Sequence, residues 1–435
     1  MIPSSIALLL ITGLLAGAPA GERAISAAVD AHNAEALALL ERAVDVNSGT
    51  LNLDGVRDVG RIFRAEFDRL GFKTEWVDGA AWHRAGHLVA THPGPGPKLL
   101  LIGHLDTVFE KDSPFQTFRR SGPHMASGPG VIDMKGGDVV IVYALRALAD
   151  AGALKAMNVT VVMTGDEEDA GTPLTAARAA LVEAAKGAAA AIGFEDGPGD
   201  PRYAVTARRG DSGWKLTVIG TPAHSSQIFR DDIGPGAVFE AAHILDTFRQ
   251  KLAGEAHLTF NPGVILGGTA VDYDDVQMRG TASGKTNIVA AHAVVQGDLR
   301  TLSKEQLDRT RQTMRAVVGA TLPHTQAAIS FDEGYPPLAP TEGNARLLAI
   351  YDRASRDLGF GPVAAADPDK AGAADVSFVA GEVPMIIDGV GLMGHDDHTP
   401  GETADLSTLP SQTKRAALLL YRLSTGGAAH GGQRP

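Results

Sequence analysis

The sequence predicts an α/β fold with a mostly parallel central sheet and an inserted two-layer α+β domain, on three observations. Short apolar runs alternate with helix-period stretches along the first half of the chain. Acidic and histidine clusters stand directly behind those runs. The pattern then changes to half-exposed alternation after Arg208-Arg209-Gly210, before helix and strand signals return near Gly343.

Ile6 to Leu15 is nearly all apolar and is followed by Ala18-Pro19-Ala20, a small-x-small pattern. Residues 1–20 are therefore expected to be a cleaved signal peptide, leaving a periplasmic or secreted protein with no membrane attachment. A retained anchor is the competing reading, because no Lys or Arg precedes the apolar run.

The first domain is expected over 24–208. Val56, Val59, Ile62, Phe63, Phe67 and Leu70 fall at helical spacing, and Gly71 ends that run. Leu99 to Gly103 and Val159 to Thr164 read as buried strands and Ala188 to Phe194 as a weaker one, separated by helices at Asp138 to Asp150 and Thr172 to Lys186. Strands alternating with helices imply crossover units and a largely parallel sheet covered on both faces.

Trp214 to Ile219 and Ala293 to Arg300 alternate like half-exposed strands, and helices are expected at Gly236 to Lys251 and Leu302 to Val318. Ser303 and Gln306 give the second helix a capping-box start. These elements form the expected insertion over 209–328, after which the first domain resumes over 329–425 with a helix at Gly343 to Leu358 and a strand at Pro384 to Asp388. Residues 426–435 are expected to be a disordered tail.

The net charge is −12, and no cluster of Lys and Arg interleaved with aromatics occurs, which excludes nucleic acid as a partner. Zero cysteines exclude disulfides, thiol nucleophiles and Cys-ligated metal, so any metal must be held by His and carboxylates.

Four clusters carry chemistry. Gly103-His104-Leu105-Asp106 places an imidazole and a carboxylate on one face of a strand end, so that one can bind metal and the other orient it. Taken alone, a surface histidine beside an aspartate is the simpler reading. Gly130-Val131-Ile132-Asp133-Met134-Lys135-Gly136-Gly137 frames an acid with glycines ahead of a helix, a context equally compatible with an Asp accepting backbone hydrogen bonds at a helix start. Asp166-Glu167-Glu168-Asp169 packs acids behind a buried strand, where repulsion raises proton affinity unless a cation is present. A solvated acidic loop explains neither that strand nor the second acidic strand end at Glu195. The last cluster runs from Gly391 to Glu402, and spacing alone prefers neither His395 nor His398 as a ligand. In open α/β sheets ligands bind outside the carboxyl ends of the strands, so these clusters should meet at one rim.

Taken in order, the motifs resemble the glutamate carboxypeptidase and aminoacylase type of co-catalytic di-zinc peptidases, over essentially the whole mature chain. The resemblance implies a zinc-peptidase-like catalytic domain, an inserted lid and dimerisation domain, two Zn2+ per subunit and a homodimer. It implies that His104, Asp133 and Glu195 hold one zinc while Asp133, Glu168 and His398 hold the other, with Asp133 bridging. Asp106 looks like the partner of His104, and Glu167 like the general base for a water shared by the metals. The family's closing pattern, Gly-x-x-Gly followed after three residues by the ligand His, selects His398.

In the insertion, His224 resembles the lid histidine that reaches a partner's active site and steadies the oxyanion. Asn287 and Arg300 match lid positions that touch substrate, Arg300 being suited to a carboxylate through paired hydrogen bonds. Gly372 lies in Ala371-Gly372-Ala373-Ala374-Asp375, which departs from the family's Gly-Gly-x-Thr/Ser-Asp substrate loop. The implied activity is hydrolysis of the amide bond of a small peptide or N-acyl amino acid, with release of C-terminal glutamate as one form. An aminoacylase or dipeptidase of other preference is a competing reading, as is a catalytically silent zinc-binding protein on the same fold. Glu167 beside a complete ligand set argues against the silent one.

Overall fold

The computed structural model describes residues 19–275 and 277–426. The expected signal segment lies outside the described residues except for Pro19 and Ala20, and the expected tail except for Gly426. The chain divides into two compact units, one formed by residues up to Ala207 with those from Pro340 onward, the other by Arg208–Ala339.

The first unit is built on a six-stranded sheet in the order Lys73–Asp78, Gly86–His92, Asn158–Thr164, Lys98–His104, Ala190–Gly193, Ile386–Ile387. Pairings from Asn158–Thr164 to Ile386–Ile387 are parallel, and the two involving Gly86–His92 are antiparallel. The parallel part is where the sequence runs continuously apolar: Leu99 to Leu101, Val159, Val161, Val162 and Ala190 to Ile192 are all buried, as strands covered on both faces must be. Only Ile386–Ile387 of the strand expected at Pro384 to Asp388 joins the ladder.

The helix Leu53–Arg69 follows its pattern. Asn52 caps it by accepting from the Gly55 amide at 3.2 Å, and Val56, Val59, Phe63 and Phe67 bury one stripe. Two long helices that periodicity did not single out, Ala20–Val44 and Thr408–Ser424, pack with Lys135–Asp150 and with each other. The single helix expected over Thr172 to Lys186 is instead two short ones, Leu174–Ala177 and Ala179–Ala185, because Arg178 between them turns into the core. There its guanidinium meets Asp166 and Asp375, each at 2.7 Å.

A second, small sheet of this unit orders Gly394–His395, Thr403–Asp405, Met125–Ser127 and Arg119–Arg120. It brings the turn at 396–402 beside the loop at 128–133, two segments far apart in sequence.

The second unit has a four-stranded antiparallel sheet in the order Thr259–Gly268, His292–Thr301, Gly210–Gly220, Thr325–Phe331. Helices Gly236–Leu252 and Lys304–Val318 cover one face, burying Trp214, Leu216, Val218, Ile244, Phe248, Val295 and Met314. Ser303 accepts from the Gln306 amide at 3.1 Å, while the Gln306 side chain reaches back to the Leu302 amide at 2.8 Å. The unit ends at Ala339 rather than at 328, since Tyr335 and Leu338 still pair with Asp211 and Arg208. Among the described residues no helix is long and apolar enough to cross a membrane.

Candidate metal centre

Every side chain of the first unit that was expected to ligate metal arrives from a strand end or from one of two tight loops. His104 closes the strand Lys98–His104, Glu167 and Glu168 follow Asn158–Thr164, and Glu195 follows Ala190–Gly193. Asp133 stands just before the helix Lys135–Asp150. That helix start lies so close to the neighbouring strand end that a Cβ on Gly137 would fall 1.9 Å from the Phe194 carbonyl oxygen. Glycine is required there, and the approach sets Asp133 beside the end that carries Glu195.

Asp133 faces both imidazoles. Its Oδ1 lies 3.0 Å from His104 Nε2 and its Oδ2 2.8 Å from His398 Nε2. Glu195 Oε1 is 3.6 Å from His104 Nε2, and Glu168 Oε2 is 3.1 Å from His398 Nε2. One ligand atom from each of His104, Asp133 and Glu195 falls within a 4.8 Å cluster. The second such cluster is Asp133, Asp397 and His398, with Glu168 attached through its contact to His398. Asp397 was not expected. His395 belongs to the short strand Gly394–His395 and joins neither cluster among the described residues.

Asp106 faces His104 and also holds the backbone around it. His104 Nδ1 lies 3.1 Å from the Asp106 backbone carbonyl and 3.5 Å from the nearer carboxylate oxygen, too long for a strong bond. The carboxylate accepts from Thr50 Oγ1 at 2.6 Å and from the amides of Glu167 at 3.0 Å and Glu168 at 3.1 Å. Two of these three hydrogen bonds fix the turn that carries the two glutamates, and none was legible in the local motif. Glu402 is a second missed anchor: fully buried, it accepts from the amides of Gly130 at 3.0 Å, Ile132 at 2.9 Å and Asp133 at 3.3 Å. It ties the His398 turn to the Asp133 loop.

The electrostatics are those of acids crowded around two bases. Burial would raise Asp133, but hydrogen bonds from His104 and His398 outweigh it and hold the carboxyl well below the usual range. Burial and Asp133 push Glu168 up to about 7 against the pull of His398. Glu195 is raised well above the carboxylate range by burial and by Asp133 and Glu167, with His104 opposing. Burial, opposed by His104 and reinforced by Asp375, Glu168 and Asp133, raises Glu167 in the same way. The hydrogen bonds that His398 donates to Asp133 and Glu168 lift it to about 11. Like charges held this close call for cations, and imidazole with carboxylate oxygens is a donor set for two divalent ions sharing Asp133. The residues fit a dinuclear centre.

The remaining candidates are placed each within its own unit. His224 and Asn287 meet within the second unit: the Ser225 amide donates to the Asn287 carbonyl at 2.8 Å, and His224 Nδ1 lies 2.9 Å from Ser226 Oγ. The Arg300 guanidinium is engaged by two of the chain's own carboxylates, Asp298 at 3.1 Å and Asp211 at 3.3 Å. Gly372 is exposed in the loop before Asp375, and nothing lies within 4 Å of where its Cβ would be. Asp375 itself is buried, accepting from Thr164 Oγ1 at 2.6 Å and from Arg178.

The model of Peptidase family M20/M25/M40 matches residues 100–422. Carboxypeptidase G2 of Pseudomonas sp. (strain RS-16) is 26% identical over 437 residues, covering 97% of this chain and 98% of that protein. Among solved structures, aminopeptidase PepT from Bacillus cereus ATCC 10987 superposes with a TM-score of 0.71 at 17% identity, covering 90% of this chain and 98% of its own. The YXEP protein of Bacillus subtilis, described as a dinuclear metal binding peptidase from the M20 family, gives a TM-score of 0.62 at 15% identity, covering 91% and 99%. With a family match over most of its length, on a chain whose imidazoles and carboxylates converge as a dinuclear centre needs, this protein is a member of peptidase family M20/M25/M40.

Proposed function

We propose that the chain is a zinc-dependent carboxypeptidase or amidohydrolase that cleaves the amide bond of a small peptide or N-acyl amino acid and releases the C-terminal amino acid. Glutamate is the first candidate for the released residue, on the strength of the family resemblance. The observation that carries the reading is the placement of Asp133, with one oxygen on each imidazole and a further carboxylate beside each.

In this reading His104, Asp133 and Glu195 hold one Zn2+, and Asp133, Glu168 and His398 hold the other. Two such ions, when bound, polarise a carbonyl and make water acidic enough to react near neutral pH. Glu167 then takes the proton and returns it to the leaving nitrogen. Its backbone is pinned by Asp106, and its proton affinity is raised by burial and its acidic neighbours, which suits a group that must both accept and donate. Homodimerisation with His224 serving the partner, and export after removal of residues 1–20, belong to the same proposal. The first is supported by the resemblance, the second by the apolar segment Ile6 to Leu15.

The test is mass-spectrometric profiling of products from mixed dipeptides and N-acyl amino acids, using chelator-stripped protein with and without added Zn2+. Zinc-dependent release of free C-terminal amino acids is expected. Stoichiometric zinc binding with every substrate left intact would favour the silent binding protein instead.

A further inference from the structure

The turn that delivers His398 brings a second side chain with it. Neighbouring residues in extended chain point to opposite faces. Here Asp396 has φ +64° and His398 φ +58°, so the backbone turns through left-handed conformations on both sides of Asp397. The Asp397 carboxylate and the His398 imidazole consequently face the same way, and one ligand atom of each lies with an Asp133 oxygen inside a 4.8 Å cluster. The polar side chains nearby do not account for Asp397. Thr399 Oγ1 donates to the Asp396 carbonyl and accepts from the Gly401 amide, and among the described residues the Asp397 carboxylate has no hydrogen-bond or ion-pair partner. Asp397 is exposed, and an acid with no such partner, within 4.8 Å of ligand atoms of Asp133 and His398, is placed to join a cation bound by them.

We propose that Asp397 is a further protein ligand of the metal position held by Asp133, Glu168 and His398. That position then has one imidazole and three carboxylates, against one imidazole and two carboxylates at the His104 position. The two positions differ in burial as well: the His104 side chain is 1% exposed and that of His398 53%. Carboxylate-rich donor sets favour hard cations such as Mn2+ more than imidazole-rich ones do. The His398 position is therefore the solvent-facing and harder of the two, and the one whose ion exchanges first. This inference rests on the two-cation reading above.

Calorimetric titration of the chelator-stripped full chain with Zn2+ and, separately, Mn2+, with electron paramagnetic resonance of the bound Mn2+, separates the two claims. Wild type, His398→Ala, Asp397→Asn and Asp397→Glu are compared. Two binding steps in wild type and one in His398→Ala are expected. Asp397→Asn should keep the tighter step unchanged and weaken the other by about tenfold for Mn2+ and by less for Zn2+, with an altered Mn2+ spectrum; Asp397→Glu should restore most of the loss. Thermal unfolding of the stripped protein should not fall in Asp397→Asn, which separates ligand loss from misfolding. Equal second-step affinities in wild type and Asp397→Asn would make Asp397 a solvated surface acid and overturn the proposal while leaving the dinuclear centre intact. A single binding step in wild type would overturn both.

Discussion

Asp133 is the residue on which the two halves of the site meet, with one oxygen toward each of two imidazoles. His395 and His398 are indistinguishable by type and nearly so by context, and the family's closing pattern selects His398. In the structure His398 turns toward Asp133 and Glu168 through a left-handed backbone conformation, whereas His395 lies in a short strand whose partner is Thr403. The same conformation hides Asp397 from sequence reasoning, because whether adjacent side chains converge depends on φ and not on residue type. Metal analysis of purified variants tests the assignment: His398→Ala should hold about one metal per chain and His395→Ala two. The opposite result would shift the ligand by three residues.

At the scale of elements, the turn Asp166 to Asp169 is held from two sides. Asp106 accepts from the amides of Glu167 and Glu168, while Arg178 bridges Asp166 to Asp375, which also accepts from Thr164. The strand end and its acids were legible, since an apolar run followed by carboxylates is a pattern in sequence. The buried arginine was not, because Arg178 within Ala-rich sequence reads as one exposed position of a helix. The stretch from Ala371 to Asp375, read as a departed substrate loop, contributes its aspartate to the core. Both partners of the pair are nearly inaccessible, so Asp375→Ala leaves a buried guanidinium without the carboxylate that accepts from its Nε and should cost about 3–5 kcal/mol in urea unfolding, with Asp375→Asn costing less. A loss below about 1 kcal/mol would remove this network from the supports of the turn.

For the molecule as a whole, the sheet order explains why residues scattered from His104 to His398 form one centre. Parallel strands align their carboxyl ends on one rim, and the small sheet from Arg119 to Asp405 carries the last turn to the same place. The parallel core and the α+β insertion followed from hydrophobic period. The antiparallel strands Lys73–Asp78 and Gly86–His92, and the long helices Ala20–Val44 and Thr408–Ser424, did not. The first helix is alanine-rich with small side chains all round, so its apolar stripe is faint. Long-range pairing of Tyr335 and Leu338 with Asp211 and Arg208, which sets the end of the insertion, has no local signature at all.

In the proposed reaction a dinuclear centre and a base that is not a ligand together cut an amide bond. Measuring bound metal and turnover on one preparation each of wild type and Glu167→Gln tests it most directly, with the best substrate from the product profile. Two metals in both proteins are expected, with turnover lowered by roughly a hundredfold or more in the variant, as for loss of a proton acceptor. Loss of metal together with activity would make Glu167 a ligand, and unchanged turnover with both metals bound would leave the proton to another group.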